Sequence, residues 1–283
     1  MFGSDKKFIF LDGAMGTMLQ DCGLKKGEIP DILNIRNPDA VENVNKMYVE
    51  AGSDIICANT FGSNAKNLSK TNYTTEEIIT AAVNIAKRAA STKAKVALDV
   101  GSLGELIEPL GKLKKQHAYE MFKQQVIAGE KVGADLVMLE TFSDLEEVKL
   151  ALSAVKENTA LPVFVTMTFN KKCETLMGNT PERFAETVEK MGAEAVGLNC
   201  SLEPSEMVET VKRFIACTNL PVIVKPNAGL PDFETGEYSI SAEDFARQML
   251  PFAEMGAKII GGCCGTTPEY IKAIIAEISG HKK

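Results

Sequence analysis

The sequence predicts an α/β fold, a single (β/α)8 barrel of the TIM type. Three observations carry that prediction. Eight short apolar runs recur along the chain, several of them continuous rather than alternating, as strands buried on both faces of a parallel sheet should be. Segments of helical period separate them. Three junctions repeat one order, helix then Gly-Ala then strand, at Gly133-Ala134, Gly192-Ala193 and Gly256-Ala257, where glycine serves as the C-terminal cap.

The first run, 8–11, ends at Asp12-Gly13. A long connection, about 13–53, follows it and predicts one helix at 40–51 and a substrate-side loop. The second run, 54–58, ends at Asn59-Thr60. Residues 76–90 then place Ile79, Ala82, Val83, Ala86 and Ala90 on one stripe. The third run, 95–98, ends at Asp99 and precedes a helix at 117–132. The fourth, 136–139, ends at Glu140-Thr141 and precedes a helix at 145–155. The fifth, 162–165, ends at Thr166; the helix after it, 181–191, opens with Thr180 as N-cap and Pro181 in the first turn. The sixth, 195–198, ends at Asn199-Cys200 and leads to a helix at 206–215. The seventh, 221–224, ends at Lys225, before a long loop at 227–239 and a helix at 242–255. The eighth, 258–260, runs into Gly261-Gly262-Cys263-Cys264.

Eight strands alternating with helices in under 300 residues fit a closed barrel. The rival, an open doubly wound sheet, lacks its GxGxxG fingerprint after the first strand. No linker or low-complexity stretch divides the chain, so 1–283 reads as one domain.

Composition narrows the function classes. A chain of 283 residues buries about 75% of its unfolded surface, so neither disulfides nor metals are needed merely to fold. A net charge of −7 argues against a nucleic-acid partner. No apolar run approaches the roughly 18 residues of a membrane span, and the apolar stretch near the start is too short for a signal peptide. Seven sparse cysteines, an odd number, argue against a disulfide framework and for a reducing cytoplasm.

Active sites of such barrels collect at the C-terminal ends of the strands. Those ends carry Asp12, Asn59, Asp99, Glu140, Cys200, Lys225, Cys263 and Cys264. Cys22, Cys57, Cys173 and Cys217 are scattered singly and read as small core residues. Cys200 and the Cys263-Cys264 pair can converge across the barrel mouth. Three thiolates with one open position make a catalytic rather than a structural zinc arrangement. Gly261, Gly262 and Gly265 permit the turn that aims neighbouring side chains at one ion. The only histidines, His117 and His281, sit at no strand end, so an imidazole ligand is not expected.

Three segments together are specific: Asp12-Gly13-Ala14-Met15-Gly16-Thr17, Gly197-Leu198-Asn199-Cys200, and Gly261 to Pro268 with sequence GGCCGTTP. In that order, over nearly the whole chain, they resemble the homocysteine S-methyltransferase family. The segments Pro226 to Pro231 (PNAGLP) and Asn59-Thr60-Phe61 are similar to the homocysteine module of cobalamin-dependent methionine synthase. The resemblance implies a zinc-containing barrel that methylates homocysteine to methionine. It implies that Cys200, Cys263 and Cys264 hold zinc and that the homocysteine thiol takes the open position. It further implies that Asp12 and Glu140 receive the substrate ammonium, and backbone N–H groups around Gly13 and Ala14 its carboxylate. Asn59, Asp99 and Asn199 are candidates for positioning either reactant. The chemistry is coherent: a free thiol titrates near pH 8.5 and only its thiolate is a good nucleophile, while zinc lowers the thiol pKa.

The expected methyl donor is a corrinoid, methylcobalamin, carried on another domain or protein, because 283 residues leave no room for a cobalamin domain beside the barrel. The alternative is a methyl-onium donor such as S-methylmethionine or betaine. Family members of that kind tend to carry a different residue after the cysteine pair, where this chain has Gly265-Thr266. A more distant alternative makes Lys225, at the end of strand seven, a Schiff-base lysine of aldolase type. Another is a barrel that only binds an amino acid. The lysines between 112 and 115 read as a solvated face that could meet an acidic partner domain.

Overall fold

The computed structural model describes residues 6–20, 22–24, 28–232, 235–236 and 238–280. His281 and parts of the 13–53 and 227–239 connections lie outside the described residues. Eight parallel strands follow in chain order: β1 (Ile9–Phe10), β2 (Ile55–Cys57), β3 (Lys95–Val100), β4 (Leu136–Phe142), β5 (Val163–Met167), β6 (Ala195–Asn199), β7 (Val222–Lys225) and β8 (Ile259–Ile260). Neighbours run β1-β8-β7-β6-β5-β4-β3-β2. A parallel bridge between Leu11 and Ile55, with Asp54 N donating to Phe10 O at 2.7 Å, joins the two ends and closes the barrel.

The helices are α1 (Leu33–Arg36), α2 (Pro38–Ala51), α3 (Ala65–Leu68), α4 (Thr75–Ala90), α5 (Lys115–Lys131), α6 (Leu145–Asn158), α7 (Pro181–Lys190), α8 (Pro204–Cys217), α9 (Ala242–Met255) and α10 (Pro268–Gly280). Eight of them follow the eight strands; α1 and α3 are single turns within connections. The seven helices expected from the sequence are present, and α2 starts earlier than expected because Asn37 caps it, accepting from Ala40 N, with Pro38 in the first turn. Helix α10 was not foreseen; it buries Ile271, Ile274 and Ile278 along one stripe.

The apolar runs are continuous because the two faces of each strand meet two different cores. Inside the barrel lie Leu11, Ile55, Ala97, Met138, Phe164 and Ile223 with their neighbours. The residues between them, such as Val96, Val137, Val165 and Val224, pack outward into the layer of helices. Cys57 belongs to the inner core, as a lone small cysteine should. All seven cysteines are free. Among the described residues no helix is long and apolar enough to cross a membrane.

Strand β4 departs from a regular ladder. Its register with β5 shifts between Leu139 and Phe142, and Thr141 has a φ of 65°. Such a bulge re-aims the side chains beside it, here Glu140 at the barrel mouth.

Phe169, Phe184 and Phe214 form one packed trio behind β5 and β6, with ring centroids 5.6 to 6.3 Å apart. Phe214 is fully buried. Phe214→Ala is expected to destabilise the barrel by about 3–5 kcal/mol, the cost of a large aromatic plus its cavity. Chemical denaturation of both proteins measures this, and a loss under about 1 kcal/mol would mean the site collapses to refill the space.

Candidate metal centre

The centre begins where β6 stops. After Asn199 the chain turns through Cys200 and Ser201, with φ of 60° and 62°, left-handed conformations that side-chain-bearing residues seldom adopt. Two backbone bonds hold this turn: Cys200 N donates to Lys225 O at 3.0 Å and Leu202 N to Cys200 O at 2.7 Å. The second half comes from the loop after β8. Cys263 N donates to Pro226 O at 2.8 Å, and Cys264 N to Asn227 Oδ1 at 3.1 Å. Thr266 closes the turn, its N–H and hydroxyl both donating to Cys263 O at 3.1 and 2.7 Å. Gly265 has a φ of 80°, and a Cβ there would fall 2.2 Å from the Tyr238 ring, so only glycine fits.

These turns bring the three sulfurs of Cys200, Cys263 and Cys264 within 4.8 Å of one another. Cys200 Sγ and Cys264 Sγ are 3.8 Å apart. A tetrahedral ion with metal–sulfur bonds of about 2.3 Å, the zinc–thiolate length, sets its ligands about 3.8 Å apart. Electrostatics points the same way. Hydrogen bonds from Cys263 and Cys264 hold the Cys200 thiol down to about 3. Its anion in turn pushes Cys264 up to about 11 and Cys263 well above the ordinary thiol range. Three thiolates at this spacing repel one another, so ionising all three calls for a cation among them. The donor set fits a thiophilic divalent metal.

The thiols open onto a cavity of about 590 Å³ at the mouth of the barrel. Asp12, Asp99, Glu140 and Lys225 also line it. Lys225 and Glu140 form an ion pair, both buried. Burial opposes the Lys225 charge, but Glu140, then Cys57 and Asp12, outweigh it and raise the amine well above its ordinary value. Lys225 is therefore held as an ammonium, the form that cannot attack a carbonyl, and the geometry disfavours the Schiff-base alternative.

Asp12 Oδ2 accepts from Cys57 N at 2.6 Å. Its Oδ1, and Oδ1 of Asp99, are buried with no partner among the described residues. Burial raises Asp12 to about 6 and, with Glu140 beside it, Asp99 well above the carboxylate range. Buried acceptors without donors are uncommon, and two in one cavity mark a place for a ligand's donors.

The remaining expected residues divide by what they touch. The Ala14 amide donates to Thr266 O at 3.2 Å, so it is already committed to the protein. The Gly13 amide donates to no described residue, and a Cβ on Gly13 would sit 2.5 Å from Thr266 Oγ1. Asn59 lines the cavity, yet its amide donates to Pro30 O at 2.9 Å and Asn34 Oδ1 at 3.1 Å, fastening the β1–α2 connection over the mouth. Asn199 is fully buried behind the cavity lining. His117 is exposed in the first turn of α5.

Three residues at the site escaped sequence reasoning. Asn227 holds the Cys264 amide, as described above. Thr141 follows Glu140 in the bulge. Asp31 is buried, with Oδ1 accepting from Gly62 N at 2.9 Å and Ser63 Oγ at 2.5 Å. Its partners lie 31 and 32 residues away, and no local pattern marks it. The cavity is also lined by the apolar Met15, Leu24, Ile29, Pro30 and Phe61, interspersed with Thr17, Gln20, Glu28 and Asn67.

Residues 9–278 match the family model described as homocysteine S-methyltransferase. Two methionine synthases are similar in sequence. That of Mycobacterium leprae (strain TN) is 32% identical over 95% of this chain and 24% of its own length. That of Mycobacterium tuberculosis (strain ATCC 25618 / H37Rv) is 30% identical over 96% and 25%. The chain thus spans about a quarter of the length of these relatives. Among solved structures, the oxidized form of the homocysteine methyltransferase MmuM from Escherichia coli superposes with a TM-score of 0.83 at 20% identity, covering 96% of each chain. Its metallated form gives 0.81 at 19% identity, again over 96% of each. At that identity the likeness is one of fold.

Proposed function

The chain belongs to the homocysteine S-methyltransferase family, and on that premise we propose that it methylates homocysteine at a zinc ion held by Cys200, Cys263 and Cys264. The observation that carries this reading is the convergence of three sulfurs within 4.8 Å on the edge of an open cavity. Zinc bound there supplies the positive charge that keeps a substrate thiol ionised near neutral pH. The protein's own groups do the rest. Asp12 offers an unpartnered carboxylate oxygen to the substrate ammonium, Glu140 shares its charge between that ammonium and Lys225, and Asp99 adds a buried acceptor beside them. The Gly13 amide faces the carboxylate. Asn59 and Asp31 keep the β1–α2 connection in place as a wall that limits water. Lys225 keeps Asp12, Asp99 and Glu140 from repelling one another when no substrate is present.

The methyl group comes from methylcobalamin on another domain or protein. This reading is supported by the two methionine synthases of about fourfold greater length. It is also supported by Gly265-Thr266 and the Pro226 to Pro231 segment, which resemble the cobalamin type.

Metal analysis and methyl transfer, measured on the same preparation with methylcobalamin and S-methylmethionine side by side, test both parts. About one zinc per chain and transfer from methylcobalamin alone is the expected result. Transfer from the sulfonium alone would replace the donor. Freshly reduced protein without zinc would overturn the centre itself.

A further inference from the structure

Asn199 closes β6 and is fully buried, yet its side chain occupies every hydrogen-bonding position it has. Nδ2 donates to Thr141 Oγ1 at 2.7 Å and to Cys263 Sγ at 3.6 Å. Oδ1 accepts from Thr141 N at 2.9 Å and from Thr166 Oγ1 at 2.8 Å. A primary amide has two donors and two acceptor lone pairs, so nothing is left over. The four bonds reach three other pieces of the mouth: β4 just past Glu140, β5, and the turn after β8.

Two of those pieces matter for chemistry. Thr141 is β-branched and left-handed, a conformation that costs on the order of 1–3 kcal/mol unless its surroundings impose it. Asn199 grips Thr141 by both its amide and its hydroxyl, and so fixes the bulge that aims Glu140. At its other end, an N–H on a cysteine sulfur fixes the sulfur's direction and draws charge from it, as outer partners of metal ligands do.

We infer that Asn199 is a positioning residue that couples the two ends of the pocket, holding Glu140 for the amino-acid group and Cys263 for the metal. The inference rests on the proposed function for the identity of the substrate, and its metal half stands apart from turnover.

Two variants of the full chain test it. Asn199→Asp keeps the outline and the acceptor but loses both donors. Thr166→Val is isosteric, lies outside the cavity lining, and removes one of the four bonds, so it remains informative if the aspartate variant fails to fold. Three quantities are read: zinc affinity by chelator competition, the thiolate-to-cobalt absorption of the cobalt-loaded protein, and the homocysteine dissociation constant by calorimetry. Asn199→Asp should lower zinc affinity roughly 10- to 100-fold, move the cobalt band, and weaken homocysteine in parallel. Thr166→Val should move all three in the same direction by less. Variants that lower only the unfolding midpoint, or that move one end of the pocket and not the other, overturn the coupling. A wild-type chain that takes up neither ion overturns the metal reading along with this inference, whereas variants matching a metal-binding wild type overturn the inference alone.

Discussion

Cys263→Ala is expected to strip the chain of zinc and abolish methyl transfer while leaving the barrel folded. The backbone at this position is fixed without the sulfur: Cys263 N is held by Pro226 O, and Cys263 O by both donors of Thr266. Removing the thiol therefore deletes a ligand and not a turn. The two sulfurs that remain, Cys200 and Cys264, lie 3.8 Å apart and keep their own anchors. Two thiolates make a poor zinc site beside three, so the affinity loss should exceed the roughly 10- to 100-fold that losing a mere outer partner costs. The one bond lost is that of Asn199 Nδ2 on the sulfur, long at 3.6 Å, and leaving this donor unpaired should cost about 1 kcal/mol. Unfolding midpoints of wild type and variant, both stripped of metal by chelator, should accordingly agree within a few degrees. Metal analysis, circular dichroism and a methyl-transfer assay on one preparation decide the matter. Full activity in a metal-free Cys263→Ala protein would sink the mechanism.

The parts of this centre legible in the sequence were those where chemistry breaks a pattern. A run such as Val196-Gly197-Leu198 ending in Asn199-Cys200, or Ile259-Ile260 ending in a paired cysteine among glycines, places polar atoms where a buried strand would otherwise continue. The barrel itself was legible because its eight runs and three Gly-Ala junctions are local features. Helix α10 carried its own signal, Thr267-Pro268 followed by isoleucines at 271, 274 and 278, which sits directly behind the cysteine motif.

What was not legible depends on partners distant in sequence. The direction of Glu140 follows from a left-handed Thr141, and no glycine marks that bend. The amide of Ala14 looked available for a ligand, but Thr266, at the far end of the chain, already takes it. Asn199 was a candidate for positioning either reactant, but the four bonds through which it would act run to β4, β5 and the turn after β8, none of them local in sequence. Lys225 looked like a potential nucleophile until its pairing with Glu140 across the barrel was seen. Each of these is a statement about tertiary contact that composition and spacing do not contain.

Glu140→Gln is expected to weaken homocysteine about 10- to 100-fold, the loss of one charge-assisted hydrogen bond of roughly 1.5–3 kcal/mol. Zinc affinity should barely change, because Glu140 supplies no atom to the sulfur cluster. Glutamine keeps the outline, and Lys225 still faces Asp12, so the buried ammonium is not left wholly uncompensated. The same experiment run across pH examines Asp12. Burial raises its carboxyl from an ordinary value near 3.8 to about 6, so the folded chain binds this proton more tightly than the unfolded one. Ionising Asp12 costs the fold stability in the window from about pH 4 to 6, and the cost is complete above it. A substrate ammonium reverses that preference by pairing with the carboxylate. Homocysteine affinity should therefore rise with pH below about 8.5, where binding as a thiolate releases the thiol proton, and fall by up to about tenfold more per unit below pH 6, where Asp12 protonates, with Asp12→Asn removing only that extra slope. Calorimetry in buffers of different ionisation enthalpy reads both the affinity and the proton released on binding. Unchanged homocysteine affinity in Glu140→Gln would remove Glu140 from the ammonium site, and an extra slope below pH 6 that survives in Asp12→Asn would remove Asp12, leaving Asp99, whose Oδ1 is also buried without a partner among the described residues, as the group to test.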